Sequence, residues 1–143
     1  MIATLGTDRL VLRPFRTDDM DALVALQAKE SFWWYPLRRG MTDEETADFL
    51  PELLPAVEVG WRLGVGHRGK GYATEAAAEA LRWGFEDLGL GEIVAIYEPE
   101  NVASGRVMDR LGFAAGSATV DPKRDLPLLV RTLSADEWRA GSR

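Results

Sequence analysis

The sequence contains no cysteine and only one histidine, His67, among its 143 residues. Without cysteine the chain can form no disulfide, no cysteine-ligated zinc site and no thiol nucleophile, and this composition suits a reducing cytoplasm. A single histidine also rules out a metal site made of several histidines. We therefore predict a cytoplasmic protein without a metal cofactor.

Long apolar runs and an excess of positive charge are also missing. No run approaches the ~20 apolar residues that a membrane-spanning helix needs. The first segment, MIATLGTDRLVLRPF, has acidic and basic residues before any long apolar stretch, which is not typical of a signal peptide. The formal net charge of −6 argues against a nucleic-acid partner, because proteins that bind nucleic acids usually present a basic surface. The sequence thus predicts neither a membrane nor a nucleic acid as partner.

The remaining composition is typical of one folded domain. Hydrophobic residues make up 46% of the chain and charged residues 28%, which is an ordinary balance for a globular protein. The chain is long enough to bury one sizeable core, and no repeat, low-complexity segment or linker divides it. We expect a single domain over residues 1–143.

The first third of the sequence predicts one strand and two helices. Alternation of apolar and charged residues predicts a strand over 8–15. Thr17, followed by acidic residues, predicts the N-cap of a helix over 18–29. An aromatic loop at 31–41 precedes a capping box, TDEE, which opens a short helix that ends near Leu50. The apolar stripe expected on the first helix consists of Met20, Leu23, Val24 and Leu26.

The rest of the chain alternates between strands and helices. Residues 56–63 alternate strictly, which predicts a strand with one packed face formed by Val57, Val59, Trp61 and Leu63. A helix over 72–88, ended by Gly89, leads to an apolar strand over 92–97, and this order predicts a parallel βαβ unit. The elements expected after it are a helix from Asn101 to Gly112, a strand over 126–133 and a short helical or irregular tail.

A glycine-rich loop between the strand over 56–63 and the following helix fits three phosphate-binding patterns. Gly64-x-Gly66-x-x-Gly69 matches a dinucleotide fingerprint, and Gly64-x-x-x-x-Gly69-Lys70 is close to the phosphate loop of NTPases. The NTPase pattern needs Ser or Thr after the lysine, where this chain has Gly71. The dinucleotide pattern expects an acidic residue about 20 positions on, and Glu98 lies further away than that. The third pattern is Arg68-x-x-Gly71-x-Ala73.

Physical chemistry favours an anion at this loop. The first N–H groups of the following helix are unpaired, and the helix dipole is positive at that end. Gly69 and Gly71 let the backbone curl around an anion, and Arg68 and Lys70 add positive charge. This argument predicts a phosphate site but does not name the ligand, and a plain glycine turn remains the alternative.

The third pattern carries a resemblance to a known family. Arg68-x-x-Gly71-x-Ala73 resembles the acetyl-CoA loop of the GNAT superfamily of N-acetyltransferases. Further segments over residues 7–113 match that family in order, and LVRTLSADEW resembles its closing strand. These segments are DRLVLRPFRTDD, YPLRRGMTDEETADFL, PAVEVGWRL and ENVASGRVMDRLGF. The resemblance is closest to the branch that acetylates N-terminal alanine or serine of ribosomal proteins.

The resemblance implies a fold, a co-substrate and a set of binding residues. The fold is α/β (α+β), with a mixed, mostly antiparallel sheet flanked by helices. Acetyl-CoA is the co-substrate, an amine is the acceptor, and transfer is direct within a ternary complex. Backbone N–H groups that hold the pyrophosphate belong to Arg68, Gly69, Lys70, Gly71, Tyr72 and Ala73. The strand Trp61, Arg62 and Leu63 lines the pantetheine arm and offers N–H groups to the thioester oxygen, while Asn101 and Ser104 face the cofactor near its sulfur.

The acceptor amine must lose a proton before it attacks. Its pKa near 8 requires only modest help from a base, and Glu58 is our candidate, directly or through water. Many GNAT enzymes place a tyrosine as general acid at the position of Met108, so here Ser104 or water would protonate the thiolate. An exposed pair with Arg62 is the alternative for Glu58, and an ordinary N-cap is the alternative for Asn101. We expect His67 to be a loop residue, and the aromatic residues Trp33, Trp34 and Tyr35 to line the acceptor pocket or cover the core.

The chain departs from the family between Leu50 and Ala56. The family has three antiparallel strands before the glycine loop, and only PELLP separates the second helix from the last of them here. The predicted order is β-α-α-β-α-β-α-β, with the family's second and third strands missing. The first strand would then pair with the strand over 56–63, and a homodimer or a swapped strand would cover apolar surface left open. A CoA-binding pseudoenzyme or interaction module with a degraded acceptor site is the alternative function.

Overall fold

The computed structural model describes residues 3–27, 57–121 and 125–141. The aromatic loop at 31–41 and the predicted helix that ends near Leu50 lie outside these ranges. So does the junction between Leu50 and Ala56, where a hairpin is predicted to be missing. The fold is an α+β arrangement of antiparallel sheets flanked by helices, as predicted.

The chain begins with a small β-hairpin. Strand β1 (Leu5–Gly6) pairs antiparallel with β2 (Val11–Leu12), and the Thr7 N–H donates to the Leu10 carbonyl at 2.9 Å in the turn. The predicted strand over 8–15 is therefore much shorter. Its alternation is confirmed, because Leu10 is half-buried whereas Val11 is 71% exposed.

The predicted pairing between this first strand and the segment over 56–63 is wrong for the part of the chain that the structure describes. There, β1 and β2 form a separate two-stranded sheet. The local turn satisfies the backbone of the hairpin without the larger sheet.

The first helix starts later than predicted and is capped differently. A short 3-10 turn, Thr17–Asp19, leads into α1 (Met20–Gln27). Arg16, not Thr17, precedes this turn, and its N–H donates to the Asp19 carboxylate at 2.7 Å. Met20 and Val24 are each 57% exposed, so the predicted apolar stripe is not buried at these positions.

Residues 57–59 run parallel to the next strand, as the βαβ prediction requires. Helix α2 (Tyr72–Arg82) continues as a π turn to Asp87, and strand β3 (Glu92–Tyr97) follows. The Val59 N–H donates to the Val94 carbonyl and the Val94 N–H to the Val57 carbonyl, both at 2.9 Å. Within the described ranges, hydrogen bonding between this segment and β3 ends at Val59. The predicted packed face holds for Val59 and Trp61, but Val57 is 46% exposed.

Helix α2 packs and ends as its sequence predicts. Gly89 has a φ of 68°, a left-handed conformation that glycine adopts without strain, and it follows Leu88, the C-cap of the π turn. Ala77, Leu81 and Phe85 are buried on one face. Leu88, the last residue of the predicted helix, is 52% exposed because it lies beyond the last turn.

The second half of the chain completes the sheet and the core. Helix α3 (Val102–Leu111) is followed by the hairpin of β4 (Ser117–Asp121) and β5 (Leu126–Ser134) and by α4 (Ala135–Gly141). The sheet has the order β3-β5-β4 and is antiparallel throughout. The core lies between this sheet and the helices, where Leu81 and Leu133 are almost fully buried. Each such leucine stabilises the fold by about 2–3 kcal/mol.

This topology sets two helix N-termini at one edge of the sheet. The segment 57–59 and β3 run in the same direction, and each is followed by a helix, α2 or α3. In open α/β sheets this edge, beyond the carboxyl ends of parallel strands, is where anionic ligands bind. The predicted binding residues on the loop over 64–71 and at the start of α3 therefore belong to the same edge.

Candidate functional site

The glycine loop folds back on itself through its own side chains. Gly64 to His67 form a tight turn in which the His67 N–H donates to the Gly64 carbonyl at 2.9 Å. Lys70 Nζ donates to the Gly66 carbonyl at 2.9 Å, and Arg68 Nε donates to the Leu63 carbonyl at 3.2 Å. Both cationic side chains are thereby held against the loop, where they add positive charge next to its backbone.

The backbone from Gly69 to Thr74 presents a row of unpaired N–H groups. Among the described residues, none of these amides donates to another backbone group, and the first helical bond of α2 runs from the Glu75 N–H to the Gly71 carbonyl at 3.0 Å. Gly69 and Gly71 have φ values of 72° and 81°, and left-handed residues of this kind are components of the backbone nests that bind anions. The positive end of the helix dipole adds to this field. Such an arrangement has the donors and the positive potential that a phosphate or pyrophosphate group requires.

The two left-handed glycines are required for conformational reasons. A Cβ added at Gly69 would meet nothing within 4 Å, and one at Gly71 would lie 3.5 Å from Arg9 Nη2. Space is therefore available at both positions, but other residues adopt positive φ only with strain. The prediction that glycine is needed for the backbone conformation at these two positions agrees with their positive φ, and their binding role stays a prediction.

Arg9 is a site residue that the sequence analysis did not single out. It lies in the turn between β1 and β2, and its Nη1 donates to the Lys70 carbonyl at 3.0 Å. Its Nε donates to Glu75 Oε2 at 2.6 Å, and its guanidinium carbon lies 4.7 Å from the centre of the Tyr72 ring. The contact joins residues far apart in sequence, so no local pattern could have revealed it.

Asn101 is the N-cap of α3. Its side-chain oxygen accepts a hydrogen bond from the Ser104 N–H at 3.2 Å, and both residues are half-buried. The capping alternative for Asn101 is therefore confirmed. The cap uses only the side-chain oxygen, and the side-chain NH₂ takes no part in it. Met108, on the same helix, is 2% exposed and lies in the core. The general-acid position of the family is thus occupied here by a buried apolar side chain.

Glu58 lies on the segment that pairs with β3, opposite Val94. Burial raises the pKa of its carboxyl group to about 7. A neighbouring cation would shift this pKa in the opposite direction, so an ion pair with Arg62 does not control the group. A carboxylate with a pKa near neutrality has the basicity that a general base needs at physiological pH.

An open cavity of about 410 Å³ adjoins the loop. It is lined by Arg9, Leu10, Val11, Leu12, Leu63, His67, Tyr72 and Ala76. The ring of His67 lies 6.4 Å from that of Tyr72, at the side of this cavity. Trp61 turns away from the cavity lining and packs against the core.

Two further findings concern membrane spans and metal ligands among the described residues. None of the helices formed by residues 3–27, 57–121 and 125–141 is long and apolar enough to cross a bilayer. The same ranges bring together no group of three or more histidine, aspartate or glutamate side chains that could hold a metal ion.

The structure defines an α+β domain with a row of unpaired amides at the N-terminus of α2, and comparisons with known proteins agree with this fold class. Residues 51–114 match the family model described as "Acetyltransferase (GNAT) domain". The chain is 44% identical to the uncharacterized N-acetyltransferase YnaD of Bacillus subtilis, over 76% of this chain and 81% of that protein. The FsC-acetyl coenzyme A-N(2)-transacetylase of Aspergillus fumigatus is 35% identical over 55% of this chain and 32% of its own length.

Solved structures give the same result for the fold. An acetyltransferase from Agrobacterium tumefaciens is 27% identical, with a TM-score of 0.71, over 93% of this chain and 95% of that one. A GNAT-family acetyltransferase from Bacillus anthracis has a TM-score of 0.76 at 22% identity, over 94% of this chain and 99% of that one. The chain belongs to the GNAT family of N-acetyltransferases, and it is an acyltransferase.

Proposed function

We propose that this chain transfers an acetyl group from acetyl-CoA to a primary amine, either a protein N-terminus or a small-molecule amine. The observation that carries the proposal is the row of unpaired amide N–H groups over residues 69–74 at the N-terminus of α2. A pyrophosphate accepts several hydrogen bonds at once, and this row, with the helix dipole and the flanking Arg68 and Lys70, offers them from one direction.

The segment Trp61, Arg62 and Leu63 would bind the pantetheine arm. Because hydrogen bonding to β3 ends at Val59, the N–H groups of Trp61 and Leu63 have no backbone partner among the described residues. They are free to bind the amides of the pantetheine arm and the thioester oxygen. A donor at that oxygen stabilises the oxyanion of the tetrahedral intermediate.

Glu58 would act as the general base. Its carboxylate accepts a proton from the acceptor ammonium, directly or through water, and the free amine then attacks the thioester carbon. The tetrahedral intermediate collapses with cleavage of the C–S bond. The leaving thiolate takes a proton from the Ser104 hydroxyl or from water, which regains it from the nitrogen of the new amide. Asn101, at the start of the same helix, would contact the cofactor near its sulfur through its side-chain NH₂.

The chain would also be shorter than other members of its family in the half that would bind the acceptor amine. We propose that the family's second and third strands are missing between Leu50 and Ala56. The alignment with the Bacillus subtilis relative supports this. It spans 137 positions but includes only 76% of this chain's 143 residues, so this chain has gaps within the alignment. The relative therefore carries residues that have no counterpart here.

A homodimer would compensate for the missing surface. Val11 and Phe15 are 71% and 78% exposed, and Met20 and Val24 on α1 are also exposed. Several exposed apolar residues within one short segment are typical of a contact with another subunit. Sedimentation equilibrium tests this proposal, and the mass of a single chain at micromolar concentration would contradict it.

The acceptor class is proposed from the family branch that the sequence resembles, which acetylates N-terminal alanine or serine of ribosomal proteins. The direct test is release of CoA thiol from acetyl-CoA in the presence of peptides with different N-termini and of small amines and polyamines. We expect turnover with at least one acceptor and a large loss in Glu58→Gln. Binding of acetyl-CoA without turnover on any acceptor would contradict the enzyme and favour the pseudoenzyme.

A further inference from the structure

The hairpin of β1 and β2 contacts the start of α2 through one charged cluster. Its members are Thr7, Arg9, Tyr72 and Glu75, together with the Lys70 carbonyl. The Thr7 hydroxyl donates to Glu75 Oε1, and the Arg9 N–H donates to the same oxygen at 3.1 Å. Arg9 Nη2 lies 2.5 Å from Glu75 Oε2. We propose that this cluster, which we name the Arg9 clamp, positions the glycine loop for the pyrophosphate of CoA; the inference rests on the proposed function.

The clamp fixes the direction of one loop amide. In a planar trans peptide the C=O and the next N–H point in opposite directions. Because Arg9 Nη1 holds the Lys70 carbonyl at 3.0 Å on the hairpin side, the Gly71 N–H must point away from the hairpin. The left-handed φ of 81° at Gly71 then leads directly into the first turn of α2. Arg9 thus pre-orients an amide that would otherwise rotate in solution.

The clamp also controls a negative charge at the anion site. Glu75 lies in the first turn of α2, and side chains on a helix lean toward its N-terminus. A loose carboxylate at that position would compete with a phosphate group for the unpaired amides. Thr7 and Arg9 hold both carboxylate oxygens of Glu75 on the hairpin side, and their hydrogen bonds lower the pKa of Glu75. The charge is neutralised and kept away from the ligand.

Arg9 does more than a surface ion pair usually does. It is 49% exposed, and an isolated pair at such exposure contributes little to stability. Its guanidinium, however, binds a carboxylate, a backbone carbonyl and an aromatic face at the same time. Such a multiple contact fixes geometry, so we expect its loss to change ligand affinity more than global stability.

The test compares Arg9→Met, Glu75→Gln and the double variant with Arg13→Met. Arg13 is a matched control, because its pair with Asp19 at 2.7 Å lies in the same N-terminal segment without contacting the loop. Calorimetric titration with CoA should give a dissociation constant about tenfold higher for Arg9→Met and unchanged for Arg13→Met. Glu75→Gln in the Arg9→Met background should recover part of the loss, because the competing charge is gone. In turnover, KM for acetyl-CoA should rise while kcat and KM for the acceptor stay constant.

A second readout needs no ligand. Trypsin cleaves after Lys70, at the carbonyl that Arg9 holds, so Arg9→Met should accelerate this cleavage in the free protein several-fold. Wild-type rates at this bond and wild-type affinity for CoA in Arg9→Met would overturn the inference and leave the proposed function intact. Failure of the wild-type chain to bind CoA would overturn the proposed function, and the cleavage rate would still decide whether the clamp exists.

Discussion

At the scale of single residues, the site combines groups that differ in how they could be recognised. Gly69 and Gly71 were predicted because left-handed backbone positions leave a sequence signature. Glu58 was predicted as a candidate base from its place on an alternating segment, and the structure adds the burial that raises its pKa to about 7. Arg9 could not be predicted, because its partners Lys70 and Glu75 are distant in sequence and only the folded chain brings them together.

Glu58 provides a prediction for the pH dependence of activity. In the wild type, kcat/KM should rise as the pH passes about 7, where the carboxyl group loses its proton, and again near the pKa of the acceptor amine. In Glu58→Gln the first rise should disappear, and the rate should fall by roughly 10²-fold or more. A pH–rate profile of both proteins measures this, and an identical profile would exclude Glu58 as the base.

The same residue links pH to stability. Its folded-state pKa is raised above the unfolded value, so its contribution is fully present below about pH 4.5 and is lost as the pH rises through about 7. Glu58→Gln should therefore match the wild type in acid and exceed its free energy of unfolding by on the order of 1–2 kcal/mol at pH 8, after allowance for partial exposure. Urea unfolding at both pH values measures the difference, and equal stability at pH 8 would contradict the raised pKa.

At the scale of helices and strands, the bounds predicted correctly are those set by local signals, namely apolar runs and capping residues. Strand β3 has the predicted bounds, and α3 begins after Asn101 and ends at Gly112, whose φ is 83°. Strand β4 was missed because Ser117 to Val120 are exposed, so the strand has no apolar face and forms only through its ladder with β5. The hairpin of β1 and β2 was missed for a similar reason, since its two-residue strands are too short to show a period.

Asn101 allows the cap of α3 to be separated from a contact with the cofactor. Asn101→Ala should lower the free energy of unfolding by about 1 kcal/mol, because the Ser104 N–H loses its acceptor. Asn101→Ser keeps a capping oxygen and should retain the stability but bind acetyl-CoA more weakly, because serine has no NH₂ to reach the cofactor. Chemical unfolding and calorimetry of both variants measure the two effects. Unchanged affinity of Asn101→Ser for acetyl-CoA would show that Asn101 acts only as the N-cap of α3.

At the scale of the whole molecule, the fold brings the proposed site residues to one edge of the sheet. The parallel segment 57–59 and β3 deliver the loop and the start of α3 to the same edge, and the buried faces of α2 and α3 hold them there. Composition could exclude thiol chemistry and predict a single folded unit, but it could not reveal the separate N-terminal hairpin or the clamp. Those depend on contacts between segments that the sequence presents far apart.

The central claim is that the loop over residues 68–73 binds the pyrophosphate of acetyl-CoA, and calorimetric titration tests it most directly. Wild type, Gly71→Ala and Gly71→Glu should be compared, because both variants carry the same strain at a φ of 81° and only one adds a charge. We expect the wild type to bind acetyl-CoA but not NAD, Gly71→Ala to bind it more weakly, and Gly71→Glu to show no binding. Equal affinity in Gly71→Glu and the wild type would contradict the assignment of the loop.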